Sequence, residues 1–118
     1  MSQYVVMFPA DNEAEWEAGS DADHQLTYDT DFEFGELLAA RGGAVTGGAG
    51  LGHSSKARTI RRGPNSEVLV TEGPFAESVE QLSGFYIVTC DEYDAVVEAA
   101  QVLTRVHPVV VIRPVHES

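Results

Sequence analysis

The stretch Val68-Leu-Val-Thr-Glu-Gly-Pro-Phe-Ala-Glu-Ser-Val-Glu-Gln-Leu-Ser-Gly-Phe-Tyr-Ile-Val-Thr-Cys90 organises the predicted fold. Residues 68–71 and 85–90 are rich in β-branched and aromatic side chains, which favour pleated strands. Gly73-Pro74 predicts a sharp turn between them, because Gly permits unusual backbone angles and Pro has no N–H for a strand ladder. We therefore expect a strand, a turn, a short acidic segment and a second strand, with any functional site near the turn.

The residues on either side add strands and two helices. Apolar positions recur at helical spacing in residues 32–41 and 92–106, so each segment predicts a helix with one buried face. Short apolar or alternating runs predict the remaining strands at residues 4–8, 44–46, 56–62 and 109–112. The turn at residues 63–66 joins two strands into a hairpin over residues 56–71.

The element order is therefore β–α–β–β–β–β–α–β. It predicts an α+β fold in which two helices pack on one face of an antiparallel sheet. The ferredoxin-like βαββαβ plan with an extra hairpin fits this order best. With 118 residues, a single domain over residues 1–118 is expected.

Composition narrows the class of protein. The formal net charge of −12 makes nucleic-acid binding improbable, because phosphates are bound by clustered Lys and Arg. No apolar run reaches the roughly 20 residues of a membrane helix, and the residues after Met1 do not resemble a signal peptide. The single cysteine, Cys90, excludes an internal disulfide and is expected to be a buried thiol. These features predict a cytoplasmic protein without a membrane partner.

The first third of the chain is strongly acidic. Ten of the nineteen acidic residues fall between Asp11 and Glu36, and residues 10–31 show no firm period, so a solvated loop with a fraying helix is expected. Trp16 is interpreted as a cover on the core, with a ligand platform as the alternative. The acids lack the spacing of a calcium loop, and no two histidines have the spacing of zinc ligands, so no metal is predicted.

No cofactor is predicted either. Residues 43–52 contain five glycines, yet neither a P-loop ending nor a helix-opening dinucleotide fingerprint follows them. A glycine-rich strand that bulges or lines a pocket is the expected structure.

From Glu72 to Tyr86 the sequence resembles the YCII-related proteins, specifically the subgroup named for its Asp-Gly-Pro-Phe motif. The resemblance extends to the opening strand, to Gly43-Ala-Val-Thr-Gly-Gly48, and to the ending Val111-Ile-Arg-Pro-Val115. In this chain Glu72 stands at the motif's Asp, Val79 at its Lys, and Asp31 at the helix position where YCII relatives have a histidine.

The resemblance implies a ferredoxin-like fold that dimerises through its sheets as a dimeric α/β barrel, with a cleft near the motif. Some YCII relatives use a His–Asp pair in lyase or dehalogenase-like chemistry on small cyclic compounds. Genes of the subgroup often neighbour those of sigma factors, which implies a regulatory protein partner.

Two functional hypotheses follow. The first is a homodimeric domain that binds a small ligand or a protein partner. The second is a cofactor-free acid–base enzyme acting on a small anionic or cyclic substrate, with His53 or Glu72 as the base and Arg58 or Arg61 as an anion clamp. The enzyme hypothesis requires that His53, Glu72 and an arginine converge on one pocket.

Other candidate positions surround the turn. Phe75 and Glu77 are the further expected ligand contacts. Among the remaining histidines, His24 is expected on the surface and His116 in a loose tail. His107 is expected to cap a helix end or to be solvated.

Overall fold

The computed structural model describes residues 1–73 and 82–117. Its main sheet contains β1 (Ser2–Met7), β2 (Ala44–Gly50), β5 (Gly84–Cys90) and β6 (Val111–Pro114), in the spatial order β2-β5-β1-β6. Every neighbouring pair in this sheet is antiparallel. The intervening strands β3 (Arg58–Arg62) and β4 (Val68–Glu72) form a separate two-stranded sheet.

The helices cover one face of the main sheet. They are α1 (Glu13–Ala18), α2 (Asp21–Ala39) and α3 (Tyr93–Ala100), with 3₁₀ turns at Ser54–Lys56 and Gln101–Arg105. The core lies between α2, α3 and the inward positions of β1 and β5. Its fully buried large side chains are Val6, Phe34, Leu38, Val88, Cys90, Val96 and Leu103. The α+β prediction, the ferredoxin-like plan and the buried free thiol are confirmed.

Most of the acidic segment is helical, so the expectation of a solvated loop with a fraying helix over residues 10–31 was wrong about the loop. Asn12 begins α1 by accepting a hydrogen bond from the Glu15 N–H at 3.0 Å. Ser20 and Asp23 form a reciprocal capping box at the start of α2, with distances of 3.1 and 2.9 Å. Acidic side chains in both first turns also complement the positive end of the helix dipole. Helix α2 therefore begins eleven residues before the predicted position, at Asp21 rather than residue 32.

The C-terminal helix is shorter than predicted, and the last strand is shifted by two residues. The helix predicted over residues 92–106 is α-helical only over Tyr93–Ala100 and continues as a 3₁₀ turn. The last strand begins at Val111 instead of residue 109, because the chain must first pass Pro108 before it reaches β1. None of the helices in the described parts of the chain is long and apolar enough to cross a bilayer.

Strands β3 and β4 form the predicted hairpin, here called the hairpin arm (residues 58–72). Its register pairs Arg58 with Glu72 and Ile60 with Val70. The arm's main contacts are internal, and Ile60 and Val70 are 70% and 61% exposed. The arm therefore exposes an apolar strip that residues 1–73 and 82–117 do not cover. That residues 1–118 form one domain stays a prediction.

Candidate functional site

A cleft of about 620 Å³ opens at one edge of the main sheet. It is bounded by the end of β1, by α1 and the first half of α2, by the glycine-rich end of β2, and by the chain after the 3₁₀ turn at Gln101–Arg105. The predicted bulge in β2 is present between Val45 and Gly47, and residues 48–52 line the cleft. The expectation that this strand bulges and borders a pocket is confirmed.

Three ionisable side chains meet in this cleft; we call Asp11, His107 and Asp31 the central cluster. The Nδ1 atom of His107 lies 2.8 Å from Asp11 Oδ2, and its Nε2 atom lies 3.0 Å from Asp31 Oδ1. His107 is only 5% exposed. Its ring stacks on Phe8 with the centroids 3.7 Å apart and the planes 9° from parallel.

The geometry defines the protonation state of His107. An ionised carboxylate only accepts hydrogen bonds, so both ring nitrogens must carry a proton to donate to Asp11 and Asp31. Burial alone would lower the pKa of His107, but the hydrogen bonds and negative charges of Asp31 and Asp11 outweigh it and raise that pKa. The central cluster is therefore an imidazolium held between two carboxylates, with a net charge of one negative unit.

Two hydroxyl groups extend the central cluster. Tyr86 donates to Asp31 Oδ2 at 2.6 Å, and Ser83 donates to Asp11 Oδ2 at 2.8 Å. Burial, aided by the hydrogen bond to Asp31, raises the pKa of the Tyr86 phenol, which keeps it a neutral donor. Both oxygens of Asp31 are thus engaged.

Unlike Asp31, Asp11 has one carboxylate oxygen without a described hydrogen-bond partner. Its Oδ1 atom is buried and has no hydrogen-bond partner in the described residues. Because His107 uses both nitrogens, it has no free position from which to act directly on a ligand. Asp11 Oδ1 is therefore the carboxylate oxygen of the central cluster that has no described donor, and a ligand reaches this buried atom only if the Asp11 side chain turns toward the cleft. His107 is a positioning residue.

His53 stands at the rim of the same cleft. The Ser55 N–H donates to its Nδ1 at 3.1 Å, so the proton lies on Nε2, which is 3.1 Å from Glu13 Oε2 and 3.6 Å from Glu17 Oε1. Glu13 also accepts from the backbone N–H and the hydroxyl of Ser54. These bonds tie the start of α1 to the loop after β2.

A comparison with protein families agrees with this fold. The YCII-related domain family matches residues 3–117, which is almost the whole chain. The chain belongs to the YCII-related family. Its resemblance to the Asp-Gly-Pro-Phe subgroup stays a prediction.

A curated relative gives this YCII-related chain no further function. It is an uncharacterised protein of Rhizobium meliloti (strain 1021), 38% identical over 55 residues. The match spans 47% of this chain and 44% of the relative, so it covers less than half of either protein.

The structure of the YCII-related chain places the predicted site residues apart. His53 lines the cleft, whereas Arg58, Arg61 and Glu72 lie on the hairpin arm and do not line it. Arg58 and Glu72 approach each other at 3.9 Å on an exposed surface. The convergence that the enzyme hypothesis required of these residues is absent from the described structure. Their functional roles stay predictions.

Two predicted ligand contacts cannot be placed. Phe75 and Glu77 lie outside the described residues, as does most of the acidic segment after the Gly73-Pro74 turn. Ser83 and Tyr86, from the end of the same motif, do reach the cleft. The motif's C-terminal half thus contributes two hydroxyl groups to the site.

The interpretation of His107 as a capping or solvated residue was wrong. Its backbone N–H bonds to Leu103 O at 2.9 Å as the 3₁₀ turn ends, and its ring points into the central cluster instead of solvent. Sequence reasoning also missed Asp11 and did not pair Asp31 with any histidine. One usable signal was present, since the YCII resemblance singled out the helix position of Asp31.

Proposed function

We propose that this protein binds a small cyclic molecule in the cleft and transfers a proton to or from it without a cofactor. The observation that carries the proposal is the central cluster, in which His107 fixes two carboxylates and the described residues supply no donor to the buried Asp11 Oδ1. In the proposed reaction, Asp11 Oδ1 accepts a proton from the ligand, and the same carboxyl returns it to another ligand atom. Tyr86 stays protonated throughout.

The energetic cost of the central cluster supports a functional role. Three ionised groups buried together lose much of their hydration, and well-packed apolar residues of similar volume are often as stabilising. Titratable groups with shifted pKa values in a cleft are typical of functional sites. Core packing alone does not require two aspartates and a histidine at this place.

A second candidate function is ligand binding without chemistry. The observation that favours it is the occupancy of both His107 nitrogens, which removes the residue that most often acts as a general base. In that case Asp11 Oδ1 serves only as a hydrogen-bond acceptor for the ligand.

Deuterium exchange separates these two functions. A panel of small cyclic ketones, with and without an amino substituent, is incubated with the protein in D₂O and followed by proton NMR. We expect the protein to accelerate exchange next to the carbonyl of at least one compound by about 10²-fold or more. The variant Asp11→Asn should return that rate to the buffer value, because the amide oxygen is a far weaker base.

The matched control is Asp91→Asn, which removes an exposed carboxylate outside the cleft. It should exchange the same compound at the wild-type rate. Binding without any acceleration would favour the second candidate. Equal rates for wild type and Asp11→Asn would contradict the role of Asp11.

We also propose that the protein acts as a homodimer. The exposed aliphatic strip on the hairpin arm supports this, together with the distribution of charge. Residues 56–72 carry four basic and two acidic residues, whereas the rest of the chain carries three basic and seventeen acidic ones. The arm is therefore complementary in charge to the body of a second copy. The regulatory protein partner and the cytoplasmic location stay predictions.

A further inference from the structure

We infer that the cleft selects a small organic cation, such as a primary ammonium attached to a ring, and rejects carboxylate ligands. This inference rests on the proposed function, because it names the ligand class of the same cleft. It differs from the sequence-based expectation of an anionic substrate held by Arg58 or Arg61. Charge, aromatic surface and hydrogen-bonding capacity each point to the same class.

The charge of the cleft lining has one sign. No Lys or Arg lines the cleft in the described structure, and residues 74–81 contain neither. Three histidines face six carboxylates, so the lining stays negative even when every histidine is protonated. The six acidic residues are Asp11, Glu13, Glu15, Glu17, Asp23 and Asp31. Such a field concentrates cations and repels anions.

One wall of the cleft is aromatic. Trp16 stacks on His24 with the centroids 4.0 Å apart and meets Tyr28 edge-on at 5.9 Å. Trp16 and Tyr28 are 41% and 56% exposed, so they lie outside the buried core and retain free ring surface. Aromatic faces next to carboxylates attract ammonium groups through the negative face of the ring.

The floor of the cleft supplies an acceptor that needs a donor. Asp11 Oδ1 is buried and has no hydrogen-bond partner among residues 1–73 and 82–117, and buried polar atoms in native proteins are rarely left without one. A protonated amine donates up to three hydrogen bonds and carries the compensating charge, whereas a carboxylate has no proton to donate. The cleft volume of about 620 Å³ accommodates a ring with such a substituent.

A metal ion is the competing cation. Among residues 1–73 and 82–117, no three His, Cys, Asp or Glu side chains are arranged to hold one. In the central cluster three of the four carboxylate oxygens already accept from His107, Ser83 and Tyr86. The free ring surface of Trp16 also favours an organic cation over a hydrated metal ion.

Three probes of one ring size test the inference: benzylamine, benzyl alcohol and benzoate. Their affinities are measured by NMR titration of the ¹⁵N-labelled protein at pH 7, with shifts mapped to the cleft. We expect benzylamine to bind at least tenfold more tightly than benzoate, with benzyl alcohol between them. Raising the salt from about 0.05 M to about 0.5 M should weaken only benzylamine.

A matched pair of variants tests whether the affinity for benzylamine depends on the charge of the cleft lining. Glu15→Gln removes an exposed charge from the cleft lining, and Glu36→Gln removes one from the exposed side of α2 away from the cleft. Both change the net charge equally. Glu15→Gln should weaken benzylamine about two- to fivefold more than Glu36→Gln does, and neither should alter the binding of benzyl alcohol.

The outcomes distinguish this inference from the proposed function. If benzoate binds as tightly as benzylamine, cation selection is wrong, while proton transfer by Asp11 is judged separately by deuterium exchange. Equal losses in Glu15→Gln and Glu36→Gln would also overturn it. If none of the three probes shifts cleft resonances at about 10 mM, both the cation selection and the ligand-binding cleft are contradicted.

Discussion

At the scale of single residues, His107 decides the electrostatics of the site. It lies between two carboxylates that would otherwise face each other in a space from which water is largely excluded. Its stacking on Phe8 fixes the plane of the ring. The two ring nitrogens are therefore held in position toward Asp11 and Asp31. The same side chain therefore stabilises the fold and orients the proposed base.

The variant His107→Gln tests this dual role. The substitution removes the positive charge between the two carboxylates. A single amide group then replaces the two ring N–H donors of His107. We expect the free energy of unfolding at pH 7 to fall by about 3–5 kcal/mol. Urea denaturation followed by tryptophan fluorescence measures it. His116→Gln, an exposed substitution in the C-terminal segment, should change stability by less than about 0.5 kcal/mol.

The pKa of His107 also gives stability a definite pH dependence. Because the folded-state pKa is raised above the unfolded value, the contribution of His107 is complete below the unfolded pKa and is lost as pH rises through the folded pKa. The stability difference between wild type and His107→Gln should therefore shrink as the pH rises above about 6.5. A difference that stays constant or grows over this range would show that the imidazole is not charged in the fold.

The residue scale is also where sequence reasoning fell short. His107 and Asp11 are 96 positions apart, and no local pattern connects them. The residues around His107 look like an ordinary helix end, with Pro108 next in the chain. Arg58 and Arg61, the predicted anion clamp, lie on opposite faces of a strand in the hairpin arm instead. Which strand faces the cleft depends on tertiary packing.

At the scale of elements, the strands were predicted well and the first helices were not. β-branched runs identify β1, β4 and β5 because such side chains fit a pleated strand. The acids at every second position from Asp11 to Glu17 conceal the helical period of α1. The capping residues Asn12 and Ser20, with Asp23 three positions after Ser20, were the signals that could have located both helices.

Gly48 allows β2 to approach β5 closely. Its φ of +139° is a conformation that L side chains rarely adopt, and an added Cβ would lie 2.3 Å from Phe85 O. Gly48→Ala should therefore reduce the free energy of unfolding by about 2–4 kcal/mol. Gly50→Ala is the matched control in the same strand, since its Cβ would meet nothing within 4 Å. Equal stability of the two variants in urea would contradict the close approach of β2 to β5.

At the scale of the whole molecule, the hairpin arm makes few contacts with the other described elements. An isolated two-stranded hairpin is only marginally stable in water, and its aliphatic side chains are exposed. A second copy would cover the strip and neutralise part of the acidic body. The arm thus links the predicted dimer to a specific surface.

Light scattering after size exclusion tests the dimer. Wild type should have twice the monomer mass of 12.7 kDa, and the double variant Ile60→Ser/Val70→Ser should shift to the monomer. Leu26→Ser, an exposed aliphatic on α2, is the control and should stay dimeric. A wild-type protein of monomer mass, or a double variant that remains dimeric, would contradict the role of the arm.

The long separation between the partners of His107 has a consequence for how the protein folds and opens. The central cluster joins residues 11, 31 and 107, so it forms only after distant parts of the chain have come together. Contacts of this kind slow folding, since their loops must close before they contribute. Local unfolding of the segment that carries Asp11 or of the segment that carries His107 would therefore disrupt the cleft. A bound ligand should therefore slow amide hydrogen exchange in β1, α2 and the turn before His107 together, as one cooperative unit.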